Sequence, residues 1–362
     1  MATIALAGGG TGGHVYPALA MGDELRSRGH TVLYYGDPDR LEGRVAAPRG
    51  YTFRPVKAPA FPRAGLVGKI KFGMSLAASI LRTRGQLRQD KVDLVLGVGG
   101  YISAPPVLAA WTCGAGRVVH EANVAPGLAN RLCARVAQAV LLTYAETGKR
   151  LPGTAPRHVV GVPVNPKILQ GEREEAAERY GLAADRPVVL FVGGSLGAAR
   201  LNDLAIACAQ RPDRAYQVLH LTGRRFIDDV KGAFKGDVPE GVKLVDYEDQ
   251  MGQAFALADL VVSRSGATTL AELTAVGRAS LLIPSPNVTE NHQEHNARGL
   301  EDAGASQVLV EADWDLHTAV GVVESLLGDE ERLASMAAAA KGQARIDAAS
   351  EAADIVESVL SR

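Results

Sequence analysis

Several short stretches of this chain combine glycine with side chains that carry protons or bind anions, and most follow an apolar run. The first is Gly8-Gly9-Gly10-Thr11-Gly12-Gly13-His14, set between Thr3–Ala7 and a helix-like stretch from Val15 to Arg28. A strand, a glycine turn and a helix start together make an anion site, because free N–H groups and the helix dipole point the same way. Gly8, Gly10 and Gly13 also satisfy the dinucleotide spacing G-x-G-x-x-G, and Asp37 follows the next predicted strand. An NAD-dependent oxidoreductase is therefore one reading, and a tight turn without a ligand is another. His14 adds a proton acceptor at the end of the loop.

Further stretches of the same kind follow. Gly99-Gly100-Tyr101 leads into Ser103-Ala104-Pro105-Pro106, where the prolines suit a helix start. His120-Glu121-Ala122-Asn123 ends another apolar run; His14, Glu121 and Asn123 could converge there, and a His beside a carboxylate can take a proton from a hydroxyl. A satisfied structural histidine is the alternative at His120. In Ser263-Arg264-Ser265-Gly266-Ala267-Thr268-Thr269-Leu270-Ala271-Glu272, the residues Ser265, Thr268 or Thr269, and Glu272 fall on one face of a starting helix. Its N–H groups and hydroxyls suit a diphosphate, and Glu272 can accept both ribose hydroxyls of a nucleotide. Asn291-His292-Gln293-Glu294-His295-Asn296 holds two histidines but no zinc spacing, so a cluster reading sugar hydroxyls is preferred to a metal.

The elements needed to hold these stretches alternate as strand and helix. Thr31–Tyr35, Val92–Val98, Arg117–His120 and Ala139–Thr143 read as strands of the first half. Pro187–Val192, Gln217–Leu221, Val242–Val245, Leu260–Ser263 and Ser280–Ile283 read as strands of the second, whose first strand again runs into a glycine loop, Gly193-Gly194-Ser195-Leu196-Gly197-Ala198. This pattern predicts an α/β chain of two Rossmann-like, doubly wound parallel-sheet domains facing across a cleft, with ligands at the carboxyl ends of strands. At 362 residues the chain exceeds what one core usually supports, and the glycines and prolines from Gly161 to Pro166 mark the boundary.

Composition narrows the class. Net charge is −1, which gives no global pull toward nucleic acid, and aromatics are 5%, too few for base-stacking platforms. Three scattered cysteines fit reduced thiols, and the start of the chain shows no leader-like segment, so the expected setting is cytoplasmic. Between Pro62 and Lys91, seven Lys and Arg residues interleave with apolar ones around a single acid, Asp90. Such a segment either lies on an anionic membrane surface or is a core helix with a basic outer face.

Taken in order, GGGTGGHVYPALA, GVGGYISAPPV, HEANVAPGLANRL, GGSLGA, RSGATTLAEL and HQEHNA resemble the MurG family of bacterial N-acetylglucosaminyltransferases from the first strand to the last helix. The resemblance implies an inverting glycosyltransferase of the GT-B kind, without obligate metal or cofactor, acting in peptidoglycan precursor synthesis. It implies transfer of GlcNAc from UDP-GlcNAc to the 4-hydroxyl of the muramyl sugar of undecaprenyl-diphospho-MurNAc-pentapeptide, lipid I to lipid II. It assigns residues 1–161 with 345–362 to an acceptor- and membrane-facing domain, and 162–344 to UDP-GlcNAc. Donor binding would fall to Asn123, Gly194, Ser195, Asn202, Ser265, Thr268, Glu272, His292 and Gln293. Acceptor binding would fall to Thr11, Gly12, Gly13, His14, Gly100 and Tyr101, and catalysis to His14 and Glu121, with His14 as base, as phosphate contact or as a purely structural residue. The Pro62–Lys91 stretch falls where the family faces the membrane, which implies peripheral attachment to the cytoplasmic face of the cell membrane and its anionic lipid, with no nucleic-acid partner. Leu196, Asn165, Glu248 and His292 depart from the family pattern, which puts individual sugar and uracil contacts in question. A non-catalytic membrane-surface scaffold is the remaining alternative.

Overall fold

A computed structural model of the chain describes residues 1–59, 66–194, 197–288 and 291–362. The chain forms two units, Met1–Asn165 with Arg345–Arg362, and Pro166–Ala344.

In the first unit the strands are β1 (Thr3–Gly8), β2 (Thr31–Gly36), β3 (Thr52–Pro55), β4 (Leu94–Gly99), β5 (Gly116–Glu121), β6 (Ala139–Leu142) and β7 (Arg157–Val159). They form one parallel sheet in the order β3-β2-β1-β4-β5-β6-β7. The helices are α1 (Gly12–Ser27), α2 (Leu41–Val45), α3 (Leu66–Gln89), α4 (Ala104–Cys113), α5 (Leu128–Cys133) and α6 (Ala145–Arg150). β4 and β6 are buried along their whole length, as continuous apolar runs covered on both faces should be. Helix α1 buries Val15, Ala18, Leu19, Met21 and Leu25, a helical stripe, against the same core as Ile4 and Leu6.

The second unit repeats the plan. Its strands β8 (Val188–Val192), β9 (Gln217–Leu221), β10 (Val242–Val245), β11 (Leu260–Ser263), β12 (Ser280–Leu282) and β13 (Ser306–Val308) are parallel in the order β10-β9-β8-β11-β12-β13. Around them lie α7 (Arg173–Tyr180), α8 (Ala199–Ala209), α9 (Ile227–Ala233), α10 (Met251–Leu257), α11 (Ala267–Val276), α12 (His292–Asp302), α13 (Leu316–Leu327) and α14 (Glu330–Gly342). Both sheets reverse their winding beside the first strand, between β1 and β4 and between β8 and β11. Those are the points where helices diverge and leave room for a ligand at the carboxyl ends.

The last helix, α15 (Ala348–Leu360), follows the second unit in sequence but packs in the first. It buries Ala352, Ala353, Val356 and Val359 in the core that holds Leu6 and Leu19, with Ile355 and Leu360 partly buried beside them. Arg28 ties it to α1 through Asp354 at 2.5 Å and Glu357 at 3.0 Å. Two edge strands, β3 and β13, have no counterpart in the apolar pattern of the sequence. β3 carries no buried residue, so no apolar run marks it.

Candidate active-site loops

In the first unit, the loops after β1 and β4 close on each other at the winding reversal. Thr11 caps α1 in extended conformation, and its hydroxyl lies 3.2 Å from His14 Nδ1 instead of bonding a backbone N–H. Gly12 and Gly13 open the helix, where no intrahelical carbonyl reaches their N–H groups. His14 Nδ1 also lies 3.2 Å from the Gly9 carbonyl oxygen. A carbonyl only accepts, so this contact puts the proton on Nδ1 and the lone pair on Nε2. On its other side the ring meets Gly99, where a Cβ would stand 2.7 Å from His14 Cδ2 and 3.0 Å from Nε2. Gly100 presses against Gly9, and Tyr101 is 52% exposed at the rim of the pair of loops. Pro105 and Pro106 start α4, where their missing N–H groups cost nothing.

The loop after β5 is organised from within. Glu121 is buried, and its carboxylate accepts from the Asn123 N–H at 3.0 Å and the Asn123 side-chain amide at 3.2 Å. Its other oxygen accepts from the Gly127 N–H at 3.0 Å and Asn130 Nδ2 at 2.9 Å. Glu121 thus ties residues 121–130 into one turn. His120 is fully buried and donates from Nε2 to the Gly161 carbonyl at 2.8 Å. Burial holds its pKa below the usual histidine range. Its Nδ1 is buried with no hydrogen-bond partner among the described residues, so the ring is a buried histidine satisfied at Nε2 alone. Asn130, like Thr147, whose hydroxyl donates to the Asn123 carbonyl at 3.0 Å, carries no sequence spacing that would single it out.

In the second unit, the loop after β8 contains Gly194, which has φ +82°, while Ser195 and Leu196 lie outside the described residues. Asn202, on α8, is buried; its Nδ2 donates to the Thr222 carbonyl at 3.2 Å, and its Oδ1 accepts from His220 Nε2 at 2.9 Å. Its amide therefore joins α8 to β9. Across the reversal, Ser265 is buried and donates to the Gln293 carbonyl at 2.8 Å, while Gln293 Oε1 accepts from the Ser285 N–H at 2.9 Å. These bonds bring the starts of α11 and α12 together, with His292 partly buried at the first position of α12. Thr268 Oγ1 is buried with no hydrogen-bond partner among the described residues. One turn on, Glu272 keeps partial solvent access, yet the surrounding protein pushes its carboxyl up to about 7. That combination describes a carboxyl at the floor of a recess, and no hydrogen bond to it occurs among the described residues.

Glu248 turns inward, accepting from the Tyr180 hydroxyl at 2.7 Å and from Arg179 at 3.0 Å. Its acidity therefore serves α7. No group of three or more His, Cys, Asp or Glu that could hold a metal occurs among the described residues, and no helix there is long and apolar enough to cross a membrane. Pro62–Gly65 of the basic stretch lie outside the described residues. From Gly68 to Ala78, α3 has no buried residue, and Ile70, Met74 and Leu81 are 55%, 70% and 66% exposed. Its first half is therefore no core helix.

The dinucleotide reading of Gly8–Gly13 meets an obstacle in Glu42. This buried carboxylate accepts from the Gly10 N–H at 3.0 Å and the Asp37 N–H at 3.3 Å. The Gly10 N–H, which a dinucleotide would need from this loop, is thus taken by a negative side chain, while the Gly12 and Gly13 N–H groups at the start of α1 are not engaged by it. Asp37 spends Oδ1 on the Asp39 N–H, at 3.0 Å, within its own turn.

Comparison with known proteins identifies the family and the fold. Residues 4–142 match the glycosyltransferase family 28 N-terminal domain, and residues 188–358 match its C-terminal domain. The UDP-N-acetylglucosamine–N-acetylmuramyl-(pentapeptide) pyrophosphoryl-undecaprenol N-acetylglucosamine transferase of Halothermothrix orenii is 39% identical, over 93% of this chain and 94% of its own. The enzyme of that name from Clavibacter sepedonicus is 41% identical, over 100% and 98%. The crystal structure of Acinetobacter baumannii MurG superposes with a TM-score of 0.77 at 26% identity, over 98% of this chain and 99% of that one. The kitacinnamycin glycosyltransferase, at 17% identity and a TM-score of 0.70 over 99% of each chain, shares the fold. The fold is that of a glycosyltransferase and not of an oxidoreductase. On these grounds the chain belongs to the MurG family of N-acetylglucosaminyltransferases, within glycosyltransferase family 28.

Proposed function

We propose that this enzyme transfers GlcNAc from UDP-GlcNAc to the 4-hydroxyl of the muramyl sugar on an undecaprenyl-diphosphate-linked MurNAc-pentapeptide. The observation that carries the reading is the division of loops between the units. The second unit offers a recessed Glu272 beside the helix starts that Ser265 and Gln293 bring together. The first offers His14, whose Nδ1 faces the Gly9 carbonyl, at the mouth of an anion-type helix start.

In this reading Glu272 accepts the ribose hydroxyls, and the loop Gly193–Gly197 with Ser195 receives the diphosphate. Thr268 completes that contact, and His292 and Gln293 meet the sugar. Asn202 serves the donor side from α8, where its amide is tied to Thr222 and His220; Asn123 serves through the turn that Glu121 organises. Thr11, Gly12, Gly13, Gly100 and Tyr101 take the acceptor's diphosphate and muramyl sugar. The 4-hydroxyl oxygen attacks the anomeric carbon, the C1–O bond to UDP breaks, and its electron pair leaves on the β-phosphate oxygen. His14 Nε2 takes the hydroxyl proton, and N–H groups at helix starts offset the charge that develops on UDP. Glu121, whose carboxylate accepts from Asn123, Gly127 and Asn130 of its own loop, serves as a positioning residue rather than a second base. Residues 1–161 with 345–362 form the acceptor side, and the exposed apolar and basic half of α3 rests on anionic lipid at the cytoplasmic face of the membrane.

Transfer of labelled GlcNAc from UDP-GlcNAc to a lipid-diphosphate muramyl acceptor tests the reading. Product with a new β-linked GlcNAc is the expected result; hydrolysis of UDP-GlcNAc without transfer would sink it.

A further inference from the structure

The buried carboxylate of Glu42 has no part in the reading above, and no feature of the sequence marks it. It lies on the five-residue helix α2 with 1% of its surface exposed. Its two oxygens join the loops after β1 and β2, one on the Gly10 N–H at 3.0 Å and one on the Asp37 N–H at 3.3 Å. The fit is close on every side. A Cβ on Gly9 would collide with the carboxylate, and one on Gly36 would stand 2.7 Å from Glu42 Cγ. Tyr34, itself buried, holds the preceding residue by donating to the Gly8 carbonyl at 2.8 Å.

The Gly10 N–H and the Gly9 carbonyl belong to one peptide group. Fixing the N–H on Glu42 fixes the direction of the carbonyl, because the group is planar. That carbonyl is the oxygen 3.2 Å from His14 Nδ1. We propose that Glu42 is a positioning residue for His14: through the Gly9–Gly10 peptide it aims the carbonyl that keeps the imidazole proton on Nδ1 and the lone pair on Nε2. A charged acceptor suits this task, since a hydrogen bond from N–H to carboxylate is stronger than one to a neutral oxygen. The consequence for turnover rests on His14 being the base, but the effect on the ring does not.

The experiment reads the ring directly. With 15N-labelled histidine, two-bond proton–nitrogen spectra distinguish the tautomers, and His14→Ala identifies which signals belong to residue 14. The wild-type protein is expected to show Nδ1–H at His14, and Glu42→Ala a mixture of tautomers or Nε2–H. Turnover in Glu42→Ala should fall roughly 10²-fold, as misplacement of a reacting group does, with UDP affinity unchanged. Glu42→Gln keeps an oxygen for the Gly10 N–H and should restore both the tautomer and most of the turnover; it also serves if the alanine variant does not fold. An unchanged His14 tautomer in Glu42→Ala overturns the proposal, as does a glutamine variant as impaired as the alanine one. If His14→Ala itself turns over normally, the base assignment falls while the ring spectra still decide the role of Glu42.

Discussion

Gly100 and Gly9 touch backbone to backbone: a Cβ on Gly100 would overlap the Gly9 carbonyl oxygen, the same oxygen that faces His14 Nδ1. Gly100 also has φ +76°, a conformation that costs other residues energy. Gly100→Ala should therefore lose about 2–4 kcal/mol of stability from backbone strain and overpacking together. It should also displace the carbonyl that orients His14. Urea unfolding and steady-state kinetics check this. UDP affinity should be unchanged, since the loops proposed to bind UDP belong to the other unit. A variant with native stability and turnover would show that the two loops can part without harm.

His14→Ala should cut turnover by about 10²–10⁴, the usual contribution of a positioned general base. Binding of UDP-GlcNAc, measured by calorimetry, should not change. Equal losses in turnover and donor affinity would reassign His14 to ground-state contact.

How far the residues alone disclose this arrangement depends on what each one does. Buried parallel strands such as β4 announce themselves as apolar runs, and the glycine loops lie after β1, β4 and β8 at the ends of such runs. The edge strands β3 and β13 do not, because a half-covered strand needs no continuous apolar sequence. At the site, His14 and Glu272 stand out because glycine or a helix start precedes them. Glu42 and Asn130 reach their partners 32 and 9 residues away, and only the fold creates that proximity. Glu121 and Asn123 read as convergent chemistry, and the bonds that also tie them to each other, to Gly127 and to Asn130 are visible only in the fold.

Glu272 should pull stability and binding in opposite directions. Its carboxyl ionises at about 7 in the folded protein, against an ordinary value of 4.5. The folded state holds the proton more tightly than the unfolded chain, so stability falls as pH rises from about 4.5 through 7, and above that range the full cost is present. Glu272→Gln should recover part of this, of order 2 kcal/mol at pH 8 after allowance for its partial exposure. The same change should weaken UDP binding by about 10- to 100-fold, the worth of a charge-assisted bond. Comparing UDP with its 2′,3′-dideoxy analogue separates ribose from phosphate. If the analogue also loses affinity on Glu272→Gln, the ribose assignment is wrong.

Acid should destabilise both units through buried histidines. Burial lowers the pKa of His120 and takes His220 to about 3. The unfolded chain protonates these rings near pH 6.5 while the folded one does not. Their contribution is thus intact above pH 6.5 and lost as pH falls below it, at about 1.4 kcal/mol per pH unit for each ring. Urea unfolding at pH 7.5 and 5.5 should show this slope, and His220→Asn should remove one proton's worth of it. An unchanged slope would mean that His220 takes up its proton without unfolding.

Two forces should act together on α3, and salt tells them apart. The helix carries Lys69, Lys71, Arg82, Arg84 and Arg88 without an acid, and its exposed Ile70, Met74 and Leu81 are joined in the same unit by Trp111, 58% exposed on α4. Attraction of the cations to anionic lipid is worth about 1 kcal/mol per residue near the surface and fades within a Debye length, ~8 Å at physiological salt. Insertion of the apolar side chains is not screened. Flotation with anionic vesicles should therefore weaken markedly for the double variant Lys69→Glu, Lys71→Glu, and raised salt should then make little further difference. Met74→Ser should instead lower binding by a similar factor at every salt concentration. Charge reversal without effect would exclude the electrostatic contribution, and Met74→Ser without effect would leave the cations as the whole of the attachment.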